Sequence, residues 1–136
     1  MIRSKIKKKD WFFDWQSEID YPEREIYKLT IKDNPTVIQG LLSLSREPDY
    51  ILVHKIENAK FNIGKGKIFV GVAGNMFAFA CKKSRESGFG GYVAFMAKTN
   101  LIEHYAKTLG ARLITSQRMG IDAESANKLI NQYFKS

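Results

Sequence analysis

Gly64-Lys65-Gly66-Lys67-Ile68-Phe69-Val70-Gly71-Val72-Ala73-Gly74-Asn75 decides the reading of this chain, because it runs directly into an apolar stretch, Val72 to Cys81, with no helix breaker after Gly74. Glycine lacks a Cβ, so its backbone can approach a ligand closely and adopt left-handed conformations. Lys65 and Lys67 put positive charge beside those glycines. A helix starting here places Gly71 to Gly74 at its N-terminus, where unpaired N–H groups and the helix dipole favour an anion. Two readings follow: a phosphate cradle, or a plain glycine-rich turn entering a buried helix. The glycines alone favour the plain turn, since short glycine motifs recur by chance.

Working outward, the helix is expected to run to about Ser87, with Phe77, Ala80, Cys81 and Ser84 on one stripe and Gly88 as its C-terminal cap. Tyr92 to Ala97 is apolar throughout, the pattern of a strand buried on both faces. Upstream, Glu25 to Ile31 alternates and stops at Lys32-Asp33-Asn34-Pro35. Thr36 to Ser45 reads as a second strand with Ile38, Leu42 and Leu44 on one face. Tyr50 to Glu57 reads as a third, with Tyr50, Leu52, His54 and Ile56 on one face. Short connections make these three an antiparallel meander, whereas a strand–helix–strand crossover pairs in parallel and right-handed. Downstream comes a helix over Lys98 to Leu109, with Thr99 or Asn100 as N-cap, an imperfect Asn100–Glu103 capping box and a stripe of Leu101, Ile102, Tyr105 and Leu109. Gly110, strands at Ala111 to Ser116 and Met119 to Ile121, and a last helix capped by Asp122 follow. That helix buries Ala126, Leu129, Ile130 and Tyr133 or Phe134.

The 136 residues, 44% hydrophobic and 26% charged, fit one soluble globular domain over 1–136, against disorder or a fibrous repeat. No apolar run spans a membrane and the basic start lacks a secretion signal's apolar core, so the expected location is cytoplasmic. Of the net charge of +8, half is local to residues 1–10, where Arg3, Lys5, Lys7, Lys8 and Lys9 face only Asp10. The plain reading is a flexible solvated tail; the sharper one is a contact with nucleic acid or an acidic partner. Nucleic acid is the minority reading, since the tail has no interleaved aromatics to stack bases. Trp11, Phe12, Phe13 and Trp15 either cover an edge of the core or form a partner surface. Cys81 is the sole cysteine and reads as a core residue; with only His54 and His104 beside it there is no zinc spacing, and no metal is expected.

The order of three antiparallel strands, glycine loop and helix, buried strand, then a helix carrying tyrosine and ending at glycine resembles the GNAT superfamily of N-acetyltransferases over about Glu25 to Leu113. The family's Gln/Arg-x-x-Gly-x-Gly/Ala loop corresponds to Ile68-Phe69-Val70-Gly71-Val72-Ala73, with Ile68 in place of the cation or amide and Lys67 next to it. The family's asparagine, tyrosine and glycine correspond to Lys98, Tyr105 and Gly110. The connection Asn58 to Lys67 is longer than usual, and the two helices after the family's first strand are absent or shortened. The fold class implied is α/β (α+β), a GNAT-like mixed sheet: an antiparallel meander, then a parallel strand–helix–strand unit, with helices on both faces.

The resemblance implies an acetyl-CoA-dependent N-acetyltransferase acting on an amine of a small molecule or protein, with acetyl-CoA as co-substrate. It places acetyl-CoA between the third and fourth strands, with Asn58, Phe69, Val70, Gly71, Val72, Ala73, Gly74, Asn75 and Lys98 as cofactor-binding residues. A backbone N–H around Glu57, Asn58 or Ala59 would polarise the thioester carbonyl. Glu57 is the implied base, against a plain ion pair with Lys55 or Lys60; Tyr105 is the implied acid for the thiolate, against a plain core aromatic. Lys98 has a solvated lysine as its rival reading. Ile68 and Lys98 motivate an alternative, a non-catalytic acyl-CoA-binding or regulatory module; a basic nucleic-acid-binding protein is the third reading. The residues leave homodimer formation open.

Overall fold

A computed structural model describes residues 6–62 and 71–134. Lys65, Lys67, Ile68, Phe69 and Val70, of which Phe69 and Val70 are expected cofactor contacts, lie outside the described residues. Strands β1 (Arg24–Leu29), β2 (Gly40–Arg46), β3 (Ile51–Asn58), β4 (Val93–Met96), β5 (Arg112–Thr115) and β6 (Arg118–Ile121) form one sheet in the order β1-β2-β3-β4-β6-β5. The first three pair antiparallel. β3 and β4 pair in parallel, β6 pairs antiparallel with β4, and β5 pairs antiparallel with β6 at the far edge. The helices are α1 (Trp15–Ile19), α2 (Val72–Glu86), α3 (Ile102–Leu109) and α4 (Ala123–Tyr133).

Strand alternation sends Leu42, Leu44, Ile51, Val53, Val93 and Phe95 to one face, where they pack with Phe77, Ala80 and Cys81 of α2 and with Leu129 and Ile130 of α4. Leu41 and Ala59 face the other way and meet Ile6, Trp11 and Trp15 of the N-terminal arm. Helices therefore flank both faces, as in the fold class implied by the resemblance. Where caps are present they are local: Asp14 accepts from the Ser17 N–H to start α1, and Asp122 from the Ser125 N–H to start α4. Gly88, at φ +85°, follows α2 as the expected C-terminal glycine.

Several expectations are corrected. β2 begins at Gly40, not Thr36, because hydrogen bonds from Asn34 N–H to the Ile31 carbonyl and from Val37 N–H to the Asn34 carbonyl spend the preceding residues in turns. Ile38 consequently joins the arm cluster with Leu41 instead of the Leu42 face. In β3 the register slips: Ser43 pairs with Lys55 but Leu44 with Val53, leaving His54 as the extra residue of a bulge. Ile56 thus turns into the α2 core while His54 bonds Ser45 on the opposite side, so the two do not share a face. The Asn100–Glu103 capping box does not form; Thr99–Leu101 is a 3₁₀ turn without a side-chain cap, and α3 starts after it. Within the expected tail, Ile6 is 3% exposed and its carbonyl accepts a 2.8 Å bond from Gln16 Nε2, so the chain is docked from that residue on. The aromatic cluster splits, with Trp11 and Trp15 buried and Phe12 and Phe13 exposed.

Candidate active site

The parallel ladder of β3 and β4 holds only from Ile51/Val93 to Val53/Phe95. Past it, β3 continues to Asn58 bonded to β2 alone, while β4 stops at Met96, so the strands part at their C-terminal ends. In parallel α/β arrangements this is the end where ligands bind. Ala59 N–H bonds the Gln39 carbonyl across β2 at 2.9 Å. Successive N–H groups of a strand point to opposite edges, so with Ala59 bonded toward β2 the Asn58 N–H falls on the edge toward the parted side.

The first turn of α2 lies over this end of the sheet. Gly40, which pairs with Asn58, has no room for a side chain: a Cβ there would stand 2.8 Å from Met76 Cε and 2.9 Å from Val72 Cγ1. Gly71 adopts φ +80°, left-handed, and contributes no side-chain cap. The first intrahelical bond runs from Asn75 N–H to the Gly71 carbonyl at 2.8 Å, so the amides of Val72, Ala73 and Gly74 precede the helical ladder and have no carbonyl within the helix to donate to. Val72 and Met76 are buried, and Ala73, Gly74 and Asn75 partly exposed. Asn58 adds an unpaired acceptor: its Oδ1 is buried without a hydrogen-bond partner among the described residues. Such an orphan is uncommon and suits a site that a ligand completes.

Tyr105 of α3 stacks edge-on against Phe95 of β4 (5.3 Å between centroids) and Phe77 of α2 (5.7 Å). Burial pushes its phenol pKa above the ordinary value of 10.0, so the hydroxyl keeps its proton well into the alkaline range. Lys98 is exposed just after β4, ahead of the 3₁₀ turn.

Glu57 faces the other side of the sheet from Tyr105. Its Oε2 accepts from Phe12 N–H at 2.7 Å, and its Oε1 from Phe13 N–H at 3.1 Å and from Trp15 Nε1 at 2.9 Å. The carboxylate pairs with neither Lys55 nor Lys60; both lysines stand over arm rings instead. Sequence reasoning missed this clamp because its two halves lie more than 40 residues apart and carry no shared motif. It also missed Tyr133 of α4, whose ring lies along the Gly71–Gly74 turn, 3.5 Å from where a Gly71 Cβ would be; a Cβ at Gly74 would collide with its hydroxyl. Its place on the buried stripe of α4 was the only available signal.

A groove of about 800 Å³ lies at the opposite end of the ladder, lined by Tyr50, Tyr92, Ile114 and Arg118 among others. It is remote from the parted strands, and Arg118 is occupied there by the Tyr50 hydroxyl at 2.7 Å. The candidate site is therefore the end where the strands part, which holds the first amides of α2 and the Asn58 Oδ1 that has no partner among the described residues. Among the described residues no three His, Cys, Asp or Glu gather to hold a metal ion, and no helix is long and apolar enough to cross a membrane.

No protein-family model matches the sequence, and no curated protein sequence does. Solved structures do resemble it. Nourseothricin acetyltransferase superposes with a TM-score of 0.54 at 18% identity, covering 74% of this chain and 65% of that one, so the chain spans a little under two thirds of that enzyme. Tetrahymena GCN5 gives 0.56 at 8% identity, over 79% and 74% of the two chains. The KacTA–DNA complex gives 0.58 at 15% identity, over 86% and 79%. The parted parallel pair, the glycine-started helix and the meander before them make the fold of this chain that of the GNAT acetyltransferases.

Proposed function

We propose that this chain is an acetyl-CoA-dependent N-acetyltransferase that acetylates an amine of a small molecule or protein. The observation that carries the reading is the parting of β3 and β4 beneath the uncapped N-terminus of α2. The residues present fit acetyl-CoA: the amides of Val72, Ala73 and Gly74, which have no acceptor among the described residues, suit its pyrophosphate, and the Asn58 N–H and the Oδ1 unpaired among those residues suit amide and carbonyl groups along the gap. Gly71 supplies the left-handed start that brings those amides forward, and Asn75 the first closed helical bond behind them. Lys98, exposed at the mouth of the gap, adds charge. Acetyl-CoA would supply the activated acyl group.

This chain's own residues then divide the remaining work. The Asn58 N–H, aimed at the parted edge, is the donor for a developing oxyanion. Tyr105 holds a proton on a desolvated hydroxyl and is the acid for a departing thiolate. Glu57, the sequence-based candidate base, has both oxygens engaged by three N–H donors, which supports a positioning role for it: it fixes the arm along the acceptor side.

Thermal denaturation with acetyl-CoA tests the proposal. At a free concentration about a hundredfold above Kd the folded state gains about 2.7 kcal/mol, a Tm rise of several degrees. An unchanged Tm with millimolar acetyl-CoA and CoA overturns it. A Tm rise without turnover on a broad amine panel selects the non-catalytic acyl-CoA-binding module instead.

A further inference from the structure

The basic start of the chain has no interleaved aromatics in sequence, but the fold supplies them. Lys60 Nζ stands 4.6 Å from the Phe12 ring centroid and donates 2.9 Å to the Lys9 carbonyl; Lys55 Nζ stands 5.1 Å from the Phe13 ring centroid. Lys7, Lys8 and Lys9 continue the surface, all exposed. Phe12 is 73% exposed and Phe13 41%, so both rings offer area to solvent that a core aromatic would not. None of these lysines forms an ion pair among the described residues. Their acidic neighbours in sequence are few: Asp10 is exposed, Asp14 caps α1, and Glu57 lies buried beneath the arm.

We infer that this face binds single-stranded nucleic acid, with Phe12 and Phe13 as stacking platforms and the lysines tracking the phosphates. Three features argue for that occupant over a folded acidic protein. Adjacent rings exposed beside cations match successive bases with phosphates between them. The platform is held in place before any ligand arrives, since Glu57 bonds the backbone N–H of both phenylalanines and not their side chains. The lysines are uncompensated, so neutralising phosphates costs no existing ion pair. The inference needs none of the residues assigned to the cofactor, and its face lies on the arm that Glu57 holds.

Fluorescence anisotropy with labelled 12-nucleotide single strands, one RNA and one DNA, and a 12-base-pair duplex of the same sequence tests it on the full chain. A single strand is expected to bind more tightly than the duplex, with log K falling linearly in log salt. Phe12→Ala, which keeps the backbone N–H to Glu57, is expected to weaken single-strand binding about 5- to 150-fold at unchanged salt slope. Lys60→Ala should reduce the slope by about 0.7. The RNA and DNA arms tell which sugar is preferred; either preference supports the inference. No binding at low salt, equal duplex binding, or single-strand binding unaffected by both Phe12→Ala and Phe13→Ala overturns it. Variants that keep the native Tm and the native acetyl-CoA-dependent Tm rise separate this outcome from failure of the acetyltransferase reading.

Discussion

Two side chains named for proton transfer sit in opposite circumstances. Tyr105 has its hydroxyl partly desolvated, which keeps it protonated; Glu57 has both carboxylate oxygens engaged by three N–H bonds from the arm. Tyr105→Phe removes only the hydroxyl and should lower turnover while the acetyl-CoA-dependent Tm rise persists; unchanged turnover removes Tyr105 from the acid role. Glu57→Gln turns one acceptor oxygen into a donor facing N–H groups. The expected cost is about 1–3 kcal/mol of stability together with a higher acceptor KM, and the pH dependence of kcat should keep its shape. If Glu57 were the base, kcat would instead fall by about 10²-fold or more and the acid-side dependence would change.

At the scale of elements, the bulge in β3 does more than shift a register. It delivers His54 to Ser45 Oγ at 2.7 Å, half-buried, and burial together with nearby Arg24 pushes the imidazole pKa below its ordinary 6.5, while Glu18, Glu47 and Glu23 pull the other way. The folded protein therefore resists protonation that the unfolded chain accepts. Stability from this source is present above about pH 6.5 and is lost as pH falls from there toward the lowered folded value. Glu25 and Asp122, whose carboxyls are held below 4.5 and 3.8, lose their contributions only at lower pH. Urea midpoints at pH 7.5 and 5.5 should differ for the native chain and converge for His54→Asn; equal midpoints in the native chain would discard the bulge histidine as a source of acid sensitivity.

For the whole molecule, what could be read in the sequence was what local pattern determines. Alternation from Glu25 to Ile31 and the apolar run Tyr92 to Ala97 located strands, and Gly71, Gly88 and Gly110 marked helix ends through conformations few other residues tolerate. The strand–helix–strand order then implied the parallel pair. Long-range facts were not legible. Nothing in Ser43-Leu44 or Val53-His54-Lys55 announces a bulge, which arises only when two strands choose their register, and the side on which Glu57 falls depends on that choice. The arm was similarly opaque: five aromatic or acidic residues at 11–15 fit either a buried edge or a surface, and the fold uses them as both.

The clamp between Glu57 and the arm also bears on the order in which the protein assembles. Its bonds join positions 42 to 45 residues apart, and Glu57 reaches its place only after β2 and β3 have paired across the bulge. Closing so long a loop before the sheet exists would cost chain entropy with nothing to offset it. We predict that the arm joins late in folding, so that Trp15→Phe should speed unfolding and leave the refolding rate nearly unchanged in stopped-flow measurements. In reverse it is a separable unit, whose release uncovers Leu41 and Ala59 while the remaining sheet and the α2–α4 layer stay whole.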